Sequence, residues 1–175
     1  IDPLNPYALQ KYEGELYCRL FAEQFGLHAV SLRYFNVYGP RSFNEKDRFS
    51  AYSSVVEIFL NQRKKNKPLT ITGNGSQRRD FVHVYDVAKA NIAAIRAKTG
   101  KFGFFNIASG KNHSVNEIAD LISKNTVYIH ARQGEAKLTL ADISKAKRLL
   151  NWKPLISLEE GVKITARELD KRSNG

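Results

Sequence analysis

The sequence predicts a mixed α/β fold with about six helices and five short strands. Two observations carry this prediction. Apolar residues recur at helical spacing in several segments, and capping residues stand at the starts of those segments. Between them lie short runs rich in β-branched and aromatic residues, bounded by glycine, proline and asparagine. Helices that alternate with strands are typical of a sheet covered by helices.

The first predicted helix begins after Asn5, which can cap it, and ends before Gly26, which can adopt the left-handed stop position. Pro6 suits the first helical position. One face of the helix carries an apolar stripe formed by Leu9, Tyr12, Leu16 and Leu20. Glycine costs about 1 kcal/mol relative to alanine in a helix interior, so we expect another element to pack closely against Gly14.

A strand and a second helix follow. HAVSLRYF (28–35) is a β-rich run, and NVYGPR (36–41) has the composition of a loop. The next helix is amphipathic, with apolar residues at helical spacing: Tyr52, Val55, Val56, Phe59 and Leu60. LTIT (69–72) then predicts a short strand, and GNG (73–75) predicts a turn.

The second half of the chain repeats this alternation. FVHV (81–84) predicts a strand that leads into a helix over 86–97, and FGFFNIAS (102–109) and VYIHA (127–131) predict two more strands. Capping signals mark three further helices: Ser114 with Glu117, Asp142 before a helix that ends at Asn151, and Ser157 with Glu160.

The composition excludes several classes of protein. The single Cys18 rules out an internal disulfide framework and suits a reducing compartment, so we expect a cytoplasmic protein. No apolar run approaches the roughly 20 residues of a membrane-spanning helix, and no signal peptide opens the chain, so no membrane partner is expected. The sequence has no methionine, even at position 1, which predicts a fragment or processed piece of a longer protein. We predict no metal site.

The net charge of +11 and the pI near 9.8 predict an anionic partner. Basic clusters stand at 63–65, 78–79 and 145–148. Nucleic acid and a phosphorylated small molecule both fit such clusters. Most lysines fall on the solvated faces of predicted helices, so we expect no nucleic-acid partner and keep a basic nucleic-acid-binding domain as the outside alternative.

A possible acid/base pair stands at the start of the first helix, in the stretch NPYALQK (5–11). Tyr7 and Lys11 are four residues apart and project from one face of the helix. A free tyrosine has a pKa near 10, too high for a base at neutral pH. A neighbouring ammonium and the positive end of a helix both favour the phenolate form, which could remove a proton from a sugar hydroxyl. By itself, this spacing is more often an ordinary helix face.

Five blocks of sequence, in one order, change that balance. They are NPYALQK (5–11), LRYFNVYGPR (32–41), LTITGNGSQRRDFVHVYDVAKAN (69–91), FNIASG (105–110) and ADISKAKRLLNWKP (141–154). The series resembles the nucleotide-sugar epimerase/dehydratase family, the extended short-chain dehydrogenases typified by UDP-galactose 4-epimerase. The resemblance runs from about Asn5 to Val162 and matches the second half of the family only.

The resemblance implies roles for four residues near the cofactor. Tyr7 matches the catalytic acid/base, and Lys11 matches the lysine that holds the nicotinamide ribose and tunes the tyrosine. Phe35 matches a position that touches the nicotinamide, although by spacing alone it is nearly as well explained as a core aromatic. Asn36 matches a contact to the diphosphate or sugar. The implied cofactor is NAD.

The resemblance also implies an anchor for the substrate diphosphate. Arg79 matches the family's phosphate-binding arginine, Arg132 matches a second one, and Glu135 matches an acidic residue that often contacts the ribose. Two guanidinium groups can bind a diphosphate through bidentate, charge-assisted hydrogen bonds. Arg78 matches no ligand position and reads as a surface charge.

A nucleotide base is implied at the LTIT strand. Thr70, Ile71 and Thr72 match the strand whose backbone binds the base, and Ser54 and Val55 match a further substrate-facing pair. Many relatives carry a tyrosine or phenylalanine at the position of Thr72. Stacking on an aromatic ring is worth about 1–3 kcal/mol, so this departure puts base affinity and base identity in doubt.

The family's cofactor-binding half has no counterpart in this sequence. There is no G-x-x-G-x-x-G loop and no upstream catalytic serine or threonine. The expected fold is therefore the C-terminal part of an extended Rossmann-type dehydrogenase plus its smaller mixed α/β substrate-binding domain. Residues 1–38 would end the Rossmann domain and 39–175 would form mainly the substrate domain, with about 80–99 returning to the Rossmann sheet.

The implied function is that of an NAD-dependent nucleotide-sugar 4-epimerase, acting on UDP-glucose and UDP-galactose or an N-acetyl analogue through a 4-keto sugar. The fragment alone is expected to be inactive, and the whole protein is expected to be a homodimer. Nucleotide-sugar 4,6-dehydratase and uronate decarboxylase remain open, because both begin with the same oxidation. A non-catalytic nucleotide-sugar-binding fragment is an alternative from another class.

Overall fold

Residues 2–3, 5–42, 54–131 and 136–171 are described in this computed structural model, and they form six α-helices and eight short strands. The helices are α1 (Pro6–Phe25), α2 (Val55–Lys64), α3 (Val84–Arg96), α4 (Val115–Ile122), α5 (Ser144–Leu149) and α6 (Leu158–Lys171). The strands are β1 (Ala29–Tyr34), β2 (Val37–Tyr38), β3 (Leu69–Thr72), β4 (Arg78–Asp80), β5 (Val82–His83), β6 (Phe102–Ile107), β7 (Asn112–Ser114) and β8 (Thr126–Ile129). The predicted mixed α/β class is confirmed.

The described strands associate in pairs, three of them parallel. β1 pairs with β6, from Ala29 opposite Phe102 to Tyr34 opposite Ile107. β2 pairs with β5, and β3 pairs with β8, both in parallel. β4 and β7 form the antiparallel pair. Because parallel strands end at the same edge of a sheet, residues that follow β1 and β6 lie side by side.

Two clusters of buried side chains form most of the core. The first lies among α2, α4, α6 and β3, and its fully buried large members are Tyr38, Phe59, Leu60, Leu69, Ile71 and Ile118. The second lies among β1, β6, α3 and the segment around α5, and it contains Val82, Ala90, Phe105, Ile107 and Trp152. The helical spacing predicted for α2 therefore reflects burial, since Val56, Phe59 and Leu60 are all inaccessible to solvent. Tyr52, the first residue of the predicted stripe, lies outside the described residues.

The first helix has the predicted ends but a different environment. Asn5 Oδ1 accepts a 2.9 Å hydrogen bond from the Ala8 amide, and Gly26 ends the helix with φ of 70°. Glu15 joins the helix to β1 through a 2.6 Å ion pair with Arg33. The expectation of close packing at Gly14 is wrong within the described part of the chain, because no atom of another element lies within 4 Å of a Cβ built there.

Several predicted boundaries shift in the structure. NVYGPR is not entirely loop, because Val37 and Tyr38 form β2 against Val82 and His83. The strand predicted over 81–84 ends at His83, whose side chain accepts from the Tyr85 amide and caps α3. β6 and β8 are shorter than predicted. The unpredicted strands β2, β4 and β7 have two or three residues each and depend on partners distant in sequence, so they leave little local signal.

Most of the predicted helix caps are present in the structure. Ser114 and Glu117 form both bonds of a capping box, and Ser157 Oγ accepts from the Glu160 amide. Asn151 follows α5 with φ of 50°, as predicted for a left-handed stop. The residue before α5 is Ile143 rather than Asp142, although Asp142 still accepts from the Ser144 amide at 2.8 Å. That bond lowers the pKa of the Asp142 carboxyl.

None of the helices in the described ranges combines the length and the apolar character needed to cross a membrane. Among the same residues, no three histidine, cysteine, aspartate or glutamate side chains lie close enough together to hold a metal ion.

A paired glycine substitution tests the packing of α6. A Cβ at Gly161 would lie 2.8 Å from Cζ of the buried Tyr38 ring, so Gly161→Ala should lower the free energy of unfolding by about 1–3 kcal/mol. Gly14→Ala meets no such contact and should raise it by up to about 1 kcal/mol. Chemical denaturation of both variants measures the difference. Equal effects of the two substitutions would contradict the packing described for Tyr38.

The buried His83 predicts a pH dependence of stability. Burial lowers the pKa of His83, although Asp86 and Glu160 act in the opposite direction. As the pH falls through about 6.5, the unfolded chain therefore takes up this proton before the folded chain does, and stability declines by at most about 1.4 kcal/mol per pH unit. The lowered pKa values of Glu117 and Glu159 act only below about pH 4.5.

Denaturation between about pH 7.5 and 5.5 measures this effect. His83→Gln should flatten the decline, whereas His28→Gln, at an exposed histidine, should keep it. A decline that is equally steep in His83→Gln would contradict the assignment.

Candidate functional site

Tyr7 and Lys11 occupy the exposed start of α1. The Lys11 Nζ lies 5.5 Å from the centroid of the Tyr7 ring, within the range of a cation–π interaction, and 53% of the Tyr7 surface is exposed. The first turn of α1 carries no acidic side chain to offset the positive end of the helix. The structure therefore brings a phenol, an ammonium and a helix N-terminus together, which is the arrangement predicted from the sequence.

Phe35 and Asn36 directly follow β1, beside the end of β6. The Phe35 amide donates to the Ile107 carbonyl, and its ring packs against a small buried cluster that contains Ala108, Ala141 and Ile143. Asn36 is exposed and has φ of 36°, a left-handed conformation that asparagine tolerates better than most residues. Its side-chain amide donates to the Asp80 carbonyl at 2.8 Å. Both residues thus lie where open α/β sheets bind ligands.

Asp80 connects three segments of the site. Its carboxylate is fully buried and accepts from Ser109 N, Ser109 Oγ, Gly110 N and Ala141 N at 2.7–3.2 Å. The segment before Ala141 also runs beside β4, since the Thr139 amide donates to the Arg78 carbonyl. β4, the turn after β6 and the approach to α5 are therefore fixed relative to one another.

The two arginines of β4 have different surroundings. Arg78 donates to Glu117 at 2.8 Å and to Asn112, and its hydrogen bond to Glu117 lowers the pKa of that carboxyl. Arg79 is half-buried, lies opposite His113 of β7, and donates to the Arg78 carbonyl at 2.9 Å. Arg78 is thus part of a surface network, in agreement with its expected role as a surface charge.

β3 presents Thr70 and Thr72 differently from Ile71. The Ile71 side chain is buried in the first core cluster, whereas both threonines are half-buried. Thr70 contacts the side-chain amide of Gln62: its N–H donates to Gln62 Oε1 at 3.1 Å, and its hydroxyl accepts from Gln62 Nε2 at 2.8 Å. The implied base-binding strand is therefore in contact with α2.

Ser54 and Val55 begin α2. Ser54 is the residue before the helix, and its hydroxyl donates to the Glu57 carboxylate. That carboxylate is buried and also accepts from Ser42 Oγ and from the Gly39 amide, the latter at 2.8 Å. Val55 is half-buried against the first core cluster. Arg132 and Glu135, the other two predicted site residues, lie outside the described residues.

The structure thus places the predicted residues that it describes in four groups: at the start of α1, at the end of β1 and in β4, along β3, and at the start of α2. Sequence reasoning missed the contacts made by Asp80, Glu57 and Gln62. Glu57 could have been found, because Ser54 and Glu57 have the spacing of a capping box. Asp80 and Gln62 act over long sequence distances or on a strand, so no local pattern marks them.

The sequence of this chain is similar to that of a known protein family. The sequence model of the NAD dependent epimerase/dehydratase family matches residues 1–108, which is more than half of the chain. The chain belongs to this family. The resemblance predicted from the five sequence blocks is therefore confirmed.

Individual members of the family agree in sequence and structure. The chain is 41% identical over 169 residues to a putative UDP-glucose 4-epimerase of Methanocaldococcus jannaschii, covering 93% of this chain and 52% of the relative. The crystal structure of a UDP-glucose 4-epimerase from Thermotoga maritima with UDP-glucose is 35% identical and superposes with a TM-score of 0.89, over 98% of this chain and 55% of that one.

A third relative is a UDP-glucuronic acid 4-epimerase from Bacillus cereus in complex with UDP-glucuronic acid and NAD. It is 31% identical, with a TM-score of 0.82, over 98% of this chain and 54% of that one. The chain spans about half the length of the curated family members that it matches. The described site therefore corresponds to part of a family member's length.

Proposed function

We propose that the protein carrying this chain is an NAD-dependent nucleotide-sugar 4-epimerase, acting on UDP-glucose and UDP-galactose or an N-acetyl analogue. The observation that carries the proposal is the pairing of Tyr7 with Lys11 at the exposed start of α1. A 4-epimerase needs one group that takes a proton from a sugar hydroxyl and returns it. The names of the similar proteins, which include UDP-glucose and UDP-glucuronate 4-epimerases, support the same substrate class.

The chemistry requires a balanced transfer of one proton and one hydride. Tyr7 takes the proton of the C4 hydroxyl as the hydride leaves C4, and this gives a 4-keto sugar. After the sugar turns over, the hydride returns to its opposite face and Tyr7 returns the proton to the oxygen. Tyr7 is therefore a phenolate before it takes the proton and again after it returns it, and in that form it lies beside the Lys11 ammonium and the N-terminus of α1. Substrate and product therefore differ only in the configuration at C4.

NAD, when bound, supplies the hydride acceptor and donor. The residues of this chain that fit it are Tyr7, Lys11 and Phe35: the lysine as a donor to ribose hydroxyls, and the aromatic ring as an apolar surface at the end of β1. The lysine ammonium can donate up to three hydrogen bonds, so it can serve both the ribose and the phenol. This donor set fits the nicotinamide end of the cofactor.

The remaining site residues would hold the substrate. Arg79, together with Arg132, would bind the diphosphate, and Asn36 would contact the diphosphate or the sugar. Glu135 would bind the ribose. The LTIT strand would bind the base, with Ser54 and Val55 nearby. Interactions with the diphosphate, which does not react, would then fix C4 relative to Tyr7 while the sugar turns.

We also propose the domain division and assembly stated for the sequence. Residues 1–38 would belong to the cofactor domain and 39–175 mainly to the substrate domain, with about 80–99 returning to the cofactor domain. In support, Val82, Val87 and Ala90 share a core cluster with two residues of β1. The whole protein would be a cytoplasmic homodimer. Apolar side chains exposed along α1, including Leu9, Leu16 and Leu20, are consistent with an interface.

Substitution of Tyr7 tests the catalytic proposal. In the whole protein that carries this chain, Tyr7→Phe removes the proton-transfer group, so kcat for interconversion of the two UDP-sugars should fall by about 10²–10⁴-fold with little change in KM. Tyr17→Phe, at an exposed tyrosine of the same helix, is the matched control and should keep wild-type kcat. The assay measures the C4 epimer by NMR.

The same assay separates the alternatives. Loss of water from the sugar, or release of CO₂ from a uronate, would identify a 4,6-dehydratase or a decarboxylase instead. Retention of kcat in Tyr7→Phe to within a factor of about three would contradict the proposed role of this phenol. Binding without turnover would leave a nucleotide-sugar-binding module.

Substitution of Arg79 tests the anchor. UDP should raise the melting temperature of the protein, because a ligand that binds only the folded state stabilises it. Arg79→Ala should weaken UDP binding by about tenfold or more, since hydrogen bonds to charged groups are worth about 1.5–3 kcal/mol. Arg167→Ala, at an exposed arginine of α6, is the control.

Equal UDP affinity in both arginine variants would contradict this assignment. Retention of duplex DNA with a steep salt dependence, and no response to UDP, would favour the nucleic-acid alternative.

A further inference from the structure

The edge of β3 that faces away from β8 has an unusual pattern of hydrogen bonds. The Leu69 and Gly73 amides donate to the Asn125 and Ile129 carbonyls. The backbone N–H and C=O groups of the odd-numbered residues therefore point toward β8. Peptide groups alternate in direction along a strand, and the N–H and C=O of Thr70 and Thr72 therefore face the other edge. No strand in the described part of the chain pairs with that edge.

Two glutamine side chains occupy the outer groups of this edge. At one end, Gln62 Oε1 accepts from the Thr70 N–H at 3.1 Å. At the other end, Gln77 Nε2 donates to the Thr72 carbonyl at 3.0 Å, and the Gly75 amide donates to the same carbonyl at 3.4 Å. Both glutamines are half-buried. The Thr70 C=O and the Thr72 N–H lie between them, so the part of this edge that no described strand covers consists of one acceptor followed by one donor.

A primary amide resembles a peptide group, with one acceptor and one donor side, and can replace a neighbouring strand at a single residue. Gln62 also donates from Nε2 to the Thr70 hydroxyl at 2.8 Å, which fixes the side chain as well as the backbone of that residue. A ligand that binds this edge therefore meets backbone groups whose positions are already fixed.

We propose that Gln62 and Gln77 are positioning residues for the nucleotide base, and this inference rests on the proposed function. By binding the Thr70 N–H and the Thr72 C=O, they leave only the inner C=O and N–H for the base edge. The imide edge of uracil has an N–H beside a carbonyl and can bind that pair with two hydrogen bonds. Without Gln62, the Thr70 N–H would also be open, and the base could shift along the strand. Without Gln77, the Thr72 carbonyl would keep only the longer bond from the Gly75 amide, at 3.4 Å, and would be less firmly fixed.

Because residue 72 is not aromatic, the hydrogen bonds at the edge of β3 account for a larger share of the binding free energy of the base. The Thr72 side chain has no ring, so the base gains no stacking energy from it. The contribution of the base then depends on how well the edge of β3 is fixed. Gln62 and Gln77 act on that contribution without touching the diphosphate.

Calorimetric titration of the protein with UDP and with inorganic pyrophosphate tests the inference. The ratio of the Kd for pyrophosphate to the Kd for UDP measures what the nucleoside adds. Gln62→Ala and Gln77→Ala should each lower that ratio about two- to tenfold, the effect of one hydrogen bond, while leaving the Kd for pyrophosphate unchanged. Gln24→Ala, at an exposed glutamine of α1, should leave both values unchanged.

The possible outcomes are distinct. A merely structural role would weaken UDP and pyrophosphate equally, or neither, and the unchanged ratio would overturn the inference. Unaltered pyrophosphate binding also shows that a variant is folded, and the two glutamines provide independent tests. If the wild-type protein bound pyrophosphate and UDP with equal affinity, the base would add nothing and the inference would again be overturned. If it bound neither, the proposed function itself would fail.

Discussion

The carboxylate of Asp80 is the interaction on which the candidate site depends. It is fully buried, and its four hydrogen-bond donors are all neutral. A buried carboxylate is unfavourable unless such donors satisfy it, so each donor must stay in place for the fold to tolerate the charge. The donors come from the turn after β6 and from the approach to α5. Their common acceptor therefore fixes both segments against β4, which carries Arg79, and against Asn36, which binds the Asp80 carbonyl.

Asp86, six residues later, also holds a distant segment of backbone through hydrogen bonds. Its carboxylate accepts from the Leu155 and Ile156 amides, and its carbonyl accepts from the Trp152 indole N–H. The segment after α5 is thereby attached to the first turn of α3. The block RRDFVHVYD thus contains two acidic residues that organise distant backbone. Much of the block that identifies the family serves the structure, and Arg79 is the member for which we propose a direct role in ligand binding.

The sequence predicted best what depends on neighbours in the chain. The bounds of α1, the capping box of Ser114 and the stop at Asn151 all follow from residues within one turn of each other. Contacts between distant segments gave no such signal. The Asp80 carboxylate binds residues 29 to 61 positions away in the sequence. The residues around Gln62 give no indication that its side chain contacts β3. The prediction for Gly14 was wrong for a related reason: whether another element packs against a helical glycine depends on segments distant in the sequence.

The relative weight of base and diphosphate follows from these contacts. An aromatic ring would contribute about 1–3 kcal/mol of stacking, and Thr72 forgoes it. Two neutral hydrogen bonds at the edge of β3 contribute about 1 kcal/mol each, whereas each charge-assisted bond from an arginine contributes about 1.5–3 kcal/mol. In the proposed complex, the diphosphate therefore contributes most of the binding free energy, and the base mainly sets the orientation of the bound nucleotide. That division suits an epimerase, because the sugar must turn over while the rest of the substrate stays fixed, and the diphosphate is the group adjacent to the turning sugar.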